Sequence, residues 1–504
     1  MDSKLDEKSS VSEKNVALSP HGELYRPEVN TDGIEEKKLM RRIDLHIIPW
    51  LAILYFLNFM DRGNIGNAKL YGMTADINVS DTQYLIALTV YFFPYALFEP
   101  ASNVALRRLR PSIWLSSMMF LWGVIMICHG FIQNYGGLVT VRVLLGVTEA
   151  GMYPGIVFVI SSWYKRAELA TKVAYFFSSA TISGAFSGLL SVAIHNMNDV
   201  GGLKSWRWIF ILEGLLTVVV AGLSFWMIQD YPETAKFLSE EERVFVIRRL
   251  QDDVRLSAAG EKFKKKYIRQ SLKDWKTWVA MGIYMGFDGP LYAFSLFLPT
   301  IISKANLLTV PPYAWGCITT IAVGIIGDRI GTRYYMSLRN IDAKSYPGAA
   351  GYIILIVSRN AALSYFAVFL AASAIYPSIR KYQSAWVGGN VEGAYKRGVT
   401  LGMAIGWGNI NGAVTSNIYR SADSPWYTMG HGIVLAYIGI GLISVTLMRV
   451  GLQRENASRD RGERDEIIDG INNKRADVKN GHYPSIEAAR LDKGDDWSGF
   501  RYIL

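Results

Sequence analysis

The sequence predicts an all-α membrane protein with twelve transmembrane helices in two halves of six. Hydrophobic residues make up 50% of the 504 residues, and apolar runs of helix length recur between about residues 47 and 449. A polar block at 229–276 separates six such runs from six more. Basic residues collect in alternate loops, which is the orientation bias of membrane proteins.

Each expected helix is an apolar run close to the length of about 20 residues that a 30 Å hydrocarbon core requires. In the first half, 47–228, we expect helices near 47–66, 82–103, 113–130, 138–163, 173–195 and 207–228. In the second half, 277–449, we expect them near 278–302, 307–327, 346–358, 361–390, 398–418 and 431–449. The remaining parts are a disordered cytoplasmic tail at 1–46, a cytoplasmic linker at 229–276 and a cytoplasmic tail at 450–504.

The charge pattern sets the orientation. The basic loops lie on the side of both termini, so we expect cytoplasmic termini in a multi-pass membrane protein. The expected location is the plasma membrane, and an organelle membrane is the alternative. The distribution of the basic residues thus accounts for the net charge of +10 as the orientation bias of a protein in the lipid bilayer. It does not indicate binding of nucleic acid. Asn78 begins an N-x-S triplet that falls on the outer side and is a candidate glycosylation site. Cys128 and Cys317 lie in apolar runs, so we expect no disulfide, metal site or cofactor.

Arg142 and Glu149 lie within the fourth expected helix. A guanidinium at mid-membrane costs about 2.5–3.5 kcal/mol on insertion scales, so Arg142 must face a bundle interior or a wet cavity. The spacing i, i+4, i+7 places Arg142, Gly146 and Glu149 on one helix face. We therefore expect a transport pathway in which Arg142 holds an anionic substrate and Glu149 binds a coupling proton. The alternative is that Arg142 only ties helices together through an acid.

Other intramembrane acids are weaker candidates. Asp288 lies beside the helix-breaking Gly289 and Pro290, and broken helices expose backbone groups that can line a cavity. It is the next candidate for the proton after Glu149. Glu99 and Glu213 lie near segment ends, where a solvated position at the interface explains them at least as well.

Polar and aromatic residues complete the expected pathway. Tyr284 is one of several tyrosines that could offer a face to a flat, ring-bearing anion. Asn409 and Asn411 lie in a glycine-rich run that could equally serve close helix packing. Asn58 and Asp61 lie in the first expected helix and complete the set of substrate and proton-coupling candidates.

A loop after the eighth expected helix contains Gly324, Asp328, Arg329, Gly331 and Arg333. It resembles the loop motif of the major facilitator superfamily, G-x-x-x-D-R-x-G-R-R, with threonine at one arginine position. The resemblance implies a conformational latch, in which the aspartate meets a helix N-terminus and nearby arginines and stabilises the outward-facing state. A carboxylate at a helix N-terminus gains about 0.3–2 kcal/mol, enough to bias a two-state equilibrium several-fold. The alternative is a plain basic turn.

Three more stretches narrow the resemblance. Asn58–Lys69, Leu308–Tyr313 and Asn390–Gly398 are similar to the fungal anion:cation symporter branch, which includes allantoate, pantothenate, biotin and nicotinic acid permeases. The chain is most similar to nicotinic acid permease-like members. The resemblance implies a monomeric, cofactor-free carrier that imports a small organic anion, a nicotinate-like monocarboxylate, with protons by alternating access. An allantoate, ureido-acid, pantothenate or other vitamin permease is the alternative within the family, and a non-transporting nutrient sensor is the alternative class.

Two departures from the pattern leave a working carrier in question. The ninth apolar run spans only 346–358, about 20 Å of helix, and the loop between the seventh and eighth helices is short. Arg380 and Lys381 lie inside the tenth expected helix, either as cavity cations or as a sign of a locally altered, impaired carrier. The sequence has no G-x-x-x-x-G-K-[ST] loop and no nucleophile–base arrangement, so we expect neither an ATP-driven pump nor an enzyme.

Overall fold

The computed structural model describes residues 25–255, 265–302, 306–329, 341–380, 386–392, 394–471, 473 and 475–504. The first half contains α1 (Glu36–Leu70), α2 (Met73–Asp76), α3 (Asp81–Arg108), α4 (Pro111–His129), α5 (Tyr135–Glu149), α6 (Met152–Trp163), α7 (Arg166–His195) and α8 (Ser205–Met227). The linker contains α9 (Glu240–Arg255) and α10 (Lys265–Lys273). The second half contains α11 (Trp275–Ile302), α12 (Val310–Arg329), α13 (Ile341–Val357), α14 (Ala361–Arg380), α15 (Ala394–Thr415) and α16 (Thr428–Asp460). Residues 461–504 contain a parallel pair of two-residue strands, β1 (Ile467–Ile468) and β2 (His482–Tyr483), followed by α17 (Ile486–Lys493).

The predicted helix order is confirmed. With α5 and α6 counted as one segment, the described residues place a helix at each of the twelve expected positions. Among the residues that the structure describes, six spans are long and apolar enough to cross a membrane on length and composition alone, namely Glu36–Leu70, Pro111–His129, Tyr135–Trp163, Thr171–His195, Ser205–Met227 and Thr428–Asp460. We call the membrane face at which α1 begins and α16 ends the tail face.

The start of α1 corrects one expectation. Residues 36–46 were expected to belong to a disordered tail, but α1 begins at Glu36 and buries Leu39 and Ile43. The linker helix α9 stabilises this extension, because Arg249 donates to Glu36 at 2.6 Å and also pairs with Glu168 at the start of α7. The helix therefore extends beyond the apolar run that the sequence pattern detects.

The fourth expected helix, 138–163, is interrupted in the structure, although Ala150 and Gly151 at the interruption keep right-handed helical dihedral angles. α5 ends at Glu149 and α6 begins at Met152. Proline lacks the N–H that would bond one turn back, so Pro154 in the first turn of α6 starts a helix easily and continues one poorly. Gly151 at the break is required by close packing, since a Cβ there would lie 1.8 Å from Ser102 Oγ of α3. The break leaves the Glu149 carboxylate at the end of a helix, deep in the bundle.

The irregular part of the second half is partly described. α13 has 17 residues, about 26 Å of helix, so the ninth segment is longer than its apolar run and still short. α14 ends at Arg380, and Lys381 lies outside the described residues. Gly324, Asp328 and Arg329 belong to the last turns of α12, whereas Gly331 and Arg333 lie outside the described residues. The latch remains a prediction.

Small residues allow the helices of each half to approach closely. A Cβ added to Gly286 of α11 would lie 2.3 Å from Gly441 Cα of α16. In the first half, a Cβ on Gly214 of α8 would lie 2.7 Å from the backbone nitrogen of Ile127 in α4. Such contacts are typical of membrane helix bundles, in which dispersion contacts replace the hydrophobic effect.

Candidate functional site

The Glu149 carboxylate accepts hydrogen bonds from three side chains inside the helix bundle. Its side chain is fully buried, and Oε2 accepts hydrogen bonds from Tyr91 Oη at 2.6 Å, Asn58 Nδ2 at 3.2 Å and Arg62 Nε at 3.4 Å. Oε1 has no hydrogen-bond partner in the part of the chain that the structure describes. The close approach of α5 to α3 builds this site, because a Cβ on Gly146 would lie 2.3 Å from the Tyr91 carbonyl oxygen.

Arg62 is the cation of this site. Its guanidinium lies 5.2–5.9 Å from the ring centroids of Phe59, Tyr91, Tyr95 and Tyr292. Ring faces attract a guanidinium, and the attraction is stronger where water is excluded. The aromatic cage and the Glu149 carboxylate together explain how a cation that is only 12% exposed in its side chain is held here.

The network continues into the second half. Arg62 Nη1 donates to Tyr292 Oη at 3.5 Å, and Tyr292 Oη donates to Asn409 Oδ1 at 2.7 Å. Asn409 Nδ2 then donates to Glu99 Oε2 of α3 at 2.9 Å. The chain of hydrogen bonds thus starts on α1, crosses through α11 and α15, and returns to the first half. We call Glu149, Arg62, Tyr292, Asn409 and Glu99 the inter-half network.

Glu99 and Glu213 are both buried, with exposed fractions of 6% and 1%. The expectation of a solvated position at the interface is therefore wrong for both. The expected helix boundaries lay too close to these two acids. In the structure α3 extends to Arg108 and α8 begins at Ser205, so each acid lies well inside its helix.

Arg142 lies on α5 and is buried, with an exposed fraction of 5%. Within the described residues it forms no ion pair, and its Nε has no hydrogen-bond partner. Its separation of seven residues from Glu149 corresponds to about 10 Å along the helix. The two side chains share a face at different depths, and the cation that contacts Glu149 is Arg62.

Asp61 belongs to a second buried cluster inside the first half. Asn64 Nδ2 donates to Asp61 Oδ1 at 3.2 Å and to Glu213 Oε2 at 2.6 Å, while Asn64 Oδ1 accepts from Ser187 Oγ at 3.2 Å. Neither carboxylate forms an ion pair with any residue that the structure describes. The predicted group of Asn58, Asp61 and Glu149 is therefore divided between two polar clusters.

Of the remaining predicted residues, Asp288, Tyr284 and Asn411 lie in the second half and Asn78 lies in the first. Asp288 is buried on α11 and faces α15, because a Cβ on Gly408 would lie 2.1 Å from its Oδ2. Tyr284 is buried on α11, two turns closer to the tail face than Tyr292. Asn411 bonds within this half, accepting from Tyr437 Oη at 2.9 Å. Asn78 is exposed with φ of 51° in the turn before α3, a conformation that asparagine tolerates.

A cavity lies between the halves beside the aromatic cage. It has about 380 Å³ of empty space, including the part open to solvent. Small residues of α7, such as Ser187, line one wall, and Tyr313 and Tyr376 line the other. Phe59 lines the cavity and also contacts Arg62 at 5.2 Å, so the cavity adjoins the cation.

The model of the Major Facilitator Superfamily matches residues 51–446. The chain belongs to this superfamily. The match covers both helical halves and the linker between them, which confirms the family and fold predicted from the sequence.

Named relatives of this superfamily member are fungal transporters. The MFS-type transporter cnsO of Penicillium expansum is 32% identical, over 90% of this chain and 91% of the relative. The major facilitator-type transporter hxnP of Emericella nidulans is 30% identical over 94% and 95%. The high-affinity nicotinic acid transporter of Saccharomyces cerevisiae is 30% identical over 84% and 80%.

Solved structures of the superfamily share the fold. The xylose transporter XylE of E. coli, in a partially occluded inward-open conformation, has a TM-score of 0.59 at 11% identity, covering 80% of this chain and 96% of that one. A bacterial homologue of the lysosomal transporter Spinster has a TM-score of 0.57 at 15% identity, covering 80% and 95%.

Sequence reasoning did not place Arg62 in the site of this superfamily member. A signal was present, because Asn58 and Arg62 are spaced i, i+4 and therefore share a helix face. Arg142 was the stronger candidate on sequence grounds, because it has the same charge and lies on the same helix as Glu149. The role of Tyr292 and Glu99 had no local signal, since their partners lie 117 and 310 residues away.

Proposed function

We propose that this transporter is a secondary carrier that imports a small organic monocarboxylate, nicotinate-like in size, together with protons. The observation that supports it is the contact of Arg62 with Glu149 inside a cage of four rings, beside a cavity between the halves. A carboxylate on a flat ring needs a guanidinium for its charge and aromatic faces for its ring. The 30% identity to a nicotinic acid transporter supports the same substrate class.

The Arg62–Glu149 contact offers a route to coupling. While Glu149 is ionised, it occupies the guanidinium of Arg62. Protonation removes the charge of Glu149, and the substrate carboxylate then takes its place on Arg62. Loss of the proton on the other side of the membrane returns Glu149 to Arg62 and displaces the substrate. Substrate and proton thus favour each other's binding, which is the thermodynamic requirement for symport.

Import of an anion into an inside-negative cell needs this coupling. The membrane potential opposes entry by about 2.3 kcal/mol per charge per 100 mV. One proton neutralises a monocarboxylate, and a second allows the potential to drive accumulation. Glu99 at the far end of the inter-half network is a second carboxyl group that could bind it.

Arg142 remains a second candidate for the substrate carboxylate. Its buried Nε has no partner among the described residues, and an unpaired donor of this kind favours an anion. Arg62 is preferred because it already contacts both the acid and the rings.

We further propose that the carrier is a monomer of the plasma membrane with its tail face in the cytoplasm. The basic residues of alternate loops support this orientation. The exposed position of Asn78, in the turn on the opposite face, is compatible with glycosylation there.

The test is uptake by a fungal strain that lacks its own carboxylate carriers. Cells expressing the chain receive labelled nicotinate, allantoate or pantothenate, with and without a protonophore. We expect accumulation of nicotinate that the protonophore abolishes. Accumulation of allantoate or pantothenate in place of nicotinate would contradict the proposed substrate. Uptake that is unchanged by the protonophore would contradict proton symport. Binding without accumulation would identify the protein as a sensor.

A further inference from the structure

The segment after α16 folds back onto the second half. β1, β2 and α17 lie within this segment, residues 461–504, which we call the tail. Its last residues return to α16, where Asn456 Oδ1 accepts from the Tyr502 backbone nitrogen at 2.9 Å and Asn456 Nδ2 donates to the Tyr502 carbonyl at 2.9 Å. The tail is thus a docked part of the molecule.

Asp495 anchors the tail in a pocket of cations. Its side chain is fully buried and pairs with Lys276 at the start of α11 and with Lys396 at the start of α15, the latter at 2.9 Å. Arg459 of α16 donates to the Asp495 carbonyl at 2.9 Å. Asp274 also pairs with both lysines, at 3.3 Å and 2.8 Å.

The pocket requires the carboxylate of Asp495. Lys276 and Lys396 are buried, with exposed fractions of 3% and 5%. Without Asp495, Asp274 would be the main acid facing two ammonium groups, since the exposed Asp496 reaches them only at 3.8 Å. A buried charge that loses its partner is strongly destabilising. Burial by itself would raise the pKa of Asp495, but Lys276 and Lys396 outweigh it and hold the pKa below its usual range.

The tail also contacts the Asn390–Gly398 stretch, whose sequence is similar to a permease branch. Asn390 bonds the Ile503 backbone twice, with Nδ2 to the carbonyl at 2.9 Å and Oδ1 from the N–H at 2.7 Å. Trp386 Nε1 donates to the same carbonyl at 2.8 Å. Glu392 pairs with Arg490 of α17 at 3.0 Å. Asn390, Glu392 and Lys396 of the Asn390–Gly398 stretch are therefore all engaged with the tail.

The helices that the tail joins also belong to the inter-half network. α11 contains Lys276 and, about 24 Å further along, Tyr292. α15 contains Lys396 and, about 20 Å further along, Asn409. Tyr292 and Asn409 are hydrogen-bonded to each other at 2.7 Å, so the same two helices meet at the tail and again at the site.

We propose that the tail is a strap that positions the transport site. Docking of Asp495 between Lys276 and Lys396 holds the ends of α11 and α15 together at the tail face. The two helices then move as one body during transport, and Tyr292 and Asn409 stay paired. Release of the tail leaves two buried ammonium groups that repel each other, and the ends of α11 and α15 separate. This proposal does not depend on the substrate or on proton coupling.

The experiment measures the α11–α15 distance in the full chain. Cys128 and Cys317 are replaced by serine, and spin labels are attached at Trp278→Cys of α11 and Gly398→Cys of α15. Trp278 is exposed, and a Cβ on Gly398 would meet no atom of the described residues within 4 Å. Docking is followed by hydrogen exchange of the backbone amides of residues 486–504. The parent is compared with Asp495→Asn and with the conservative Asp495→Glu.

We expect Asp495→Asn to increase exchange of the tail amides at least tenfold and to lengthen or broaden the distance between the labels. Asp495→Glu should restore both readouts in large part. Arg461→Gln is the matched control in the same tail, because Arg461 pairs with Glu463 and both side chains are more than half exposed. It should match the parent.

A second variant tests the proposal if Asp495→Asn fails to fold. Asn390→Ala removes both bonds to Ile503 without leaving a buried charge, and it should increase exchange and broaden the distance to a smaller extent. Fast exchange of the parent's tail amides would overturn the docked tail. Faster exchange in Asp495→Asn or Asn390→Ala with an unchanged distance would overturn the strap, because the tail would then be an appendage.

Discussion

Replacement of Arg62 by lysine tests which cation binds the substrate. Lysine keeps the charge but loses the planar fork that can contact a carboxylate with two N–H groups. In the structure Arg62 contacts Glu149 through Nε and Tyr292 through Nη1, so one guanidinium serves two partners. A lysine ammonium at this position reaches one of them.

The expected loss is one charge-assisted hydrogen bond, about 1.5–3 kcal/mol. At about 1.4 kcal/mol per factor of ten, this predicts a 10- to 150-fold increase in KM for uptake of the carboxylate. The change should appear in KM more than in the maximal rate, because substrate binding is what weakens.

The assay is initial-rate uptake of labelled nicotinate, or of the anion that the substrate panel identifies, normalised to the amount of protein in the membrane. Arg142→Lys is the rival variant, and Arg359→Lys at the exposed turn after α13 is the neutral control. An unchanged KM in Arg62→Lys together with a raised KM in Arg142→Lys would refute the assignment of Arg62 and transfer the substrate site to Arg142.

Three further predictions follow from the packing, the loop motif and the tail. Gly146→Ala should greatly reduce the amount of folded protein, because the added Cβ would lie 2.3 Å from the Tyr91 carbonyl oxygen. Size-exclusion chromatography in detergent measures the folded protein, and a monodisperse peak of parental size would contradict the prediction. Asp328→Asn should reach the membrane at parental levels and transport more slowly because the latch loses its charge; parental uptake would reduce the loop to a turn. The tail should stabilise the fold through Asp495 above the ordinary aspartate pKa of about 3.9, and this contribution should vanish as pH falls through the lowered folded pKa. The difference in Tm between the parent and Asp495→Asn should therefore be constant from pH 7 to 5, begin to shrink near pH 4, and vanish only once the pH is below the lowered folded pKa. A difference that grows toward acid would contradict this.

The helical framework could be predicted from the sequence because each helix repeats one local signal, an apolar run near 20 residues. The break between α5 and α6 was missed, although Gly151 and Pro154 mark it, because apolar content is uninterrupted across it. The extension of α1 to Glu36 was missed because it depends on contacts with α9, 213 residues away for Arg249.

The site was predicted in part. Glu149 was predicted from an intramembrane charge that shares a helix face with Arg142. Asn58 was predicted from the first expected helix and Asn409 from a glycine-rich run, and all three residues belong to the network or contact it. The partner of Glu149 was predicted from helix spacing as Arg142. Spacing gives the face of a helix but not the depth at which a neighbouring helix presents its own cation, so it did not find Arg62.

The docking of the tail had no sequence signal. A polar, charged segment after the last helix is typical of a solvated end, and its partners Lys276 and Asn390 lie 219 and 113 residues away. The stretch Asn390–Gly398 is similar to a permease branch, but its residue types did not indicate that it contacts the tail.

The most direct test of proton coupling at Glu149 compares exchange with accumulation in Glu149→Gln. Glutamine matches the protonated acid in size and charge, so Arg62 is free for the substrate carboxylate whatever the pH. In proteoliposomes loaded with unlabelled substrate, the variant should exchange labelled substrate at a rate near that of the parent. It should fail to concentrate the substrate when an inward proton gradient is applied, whereas the parent concentrates it. Accumulation by Glu149→Gln against a substrate gradient would contradict the account and place the coupling proton elsewhere, with Asp288 and Glu99 as the next positions to examine.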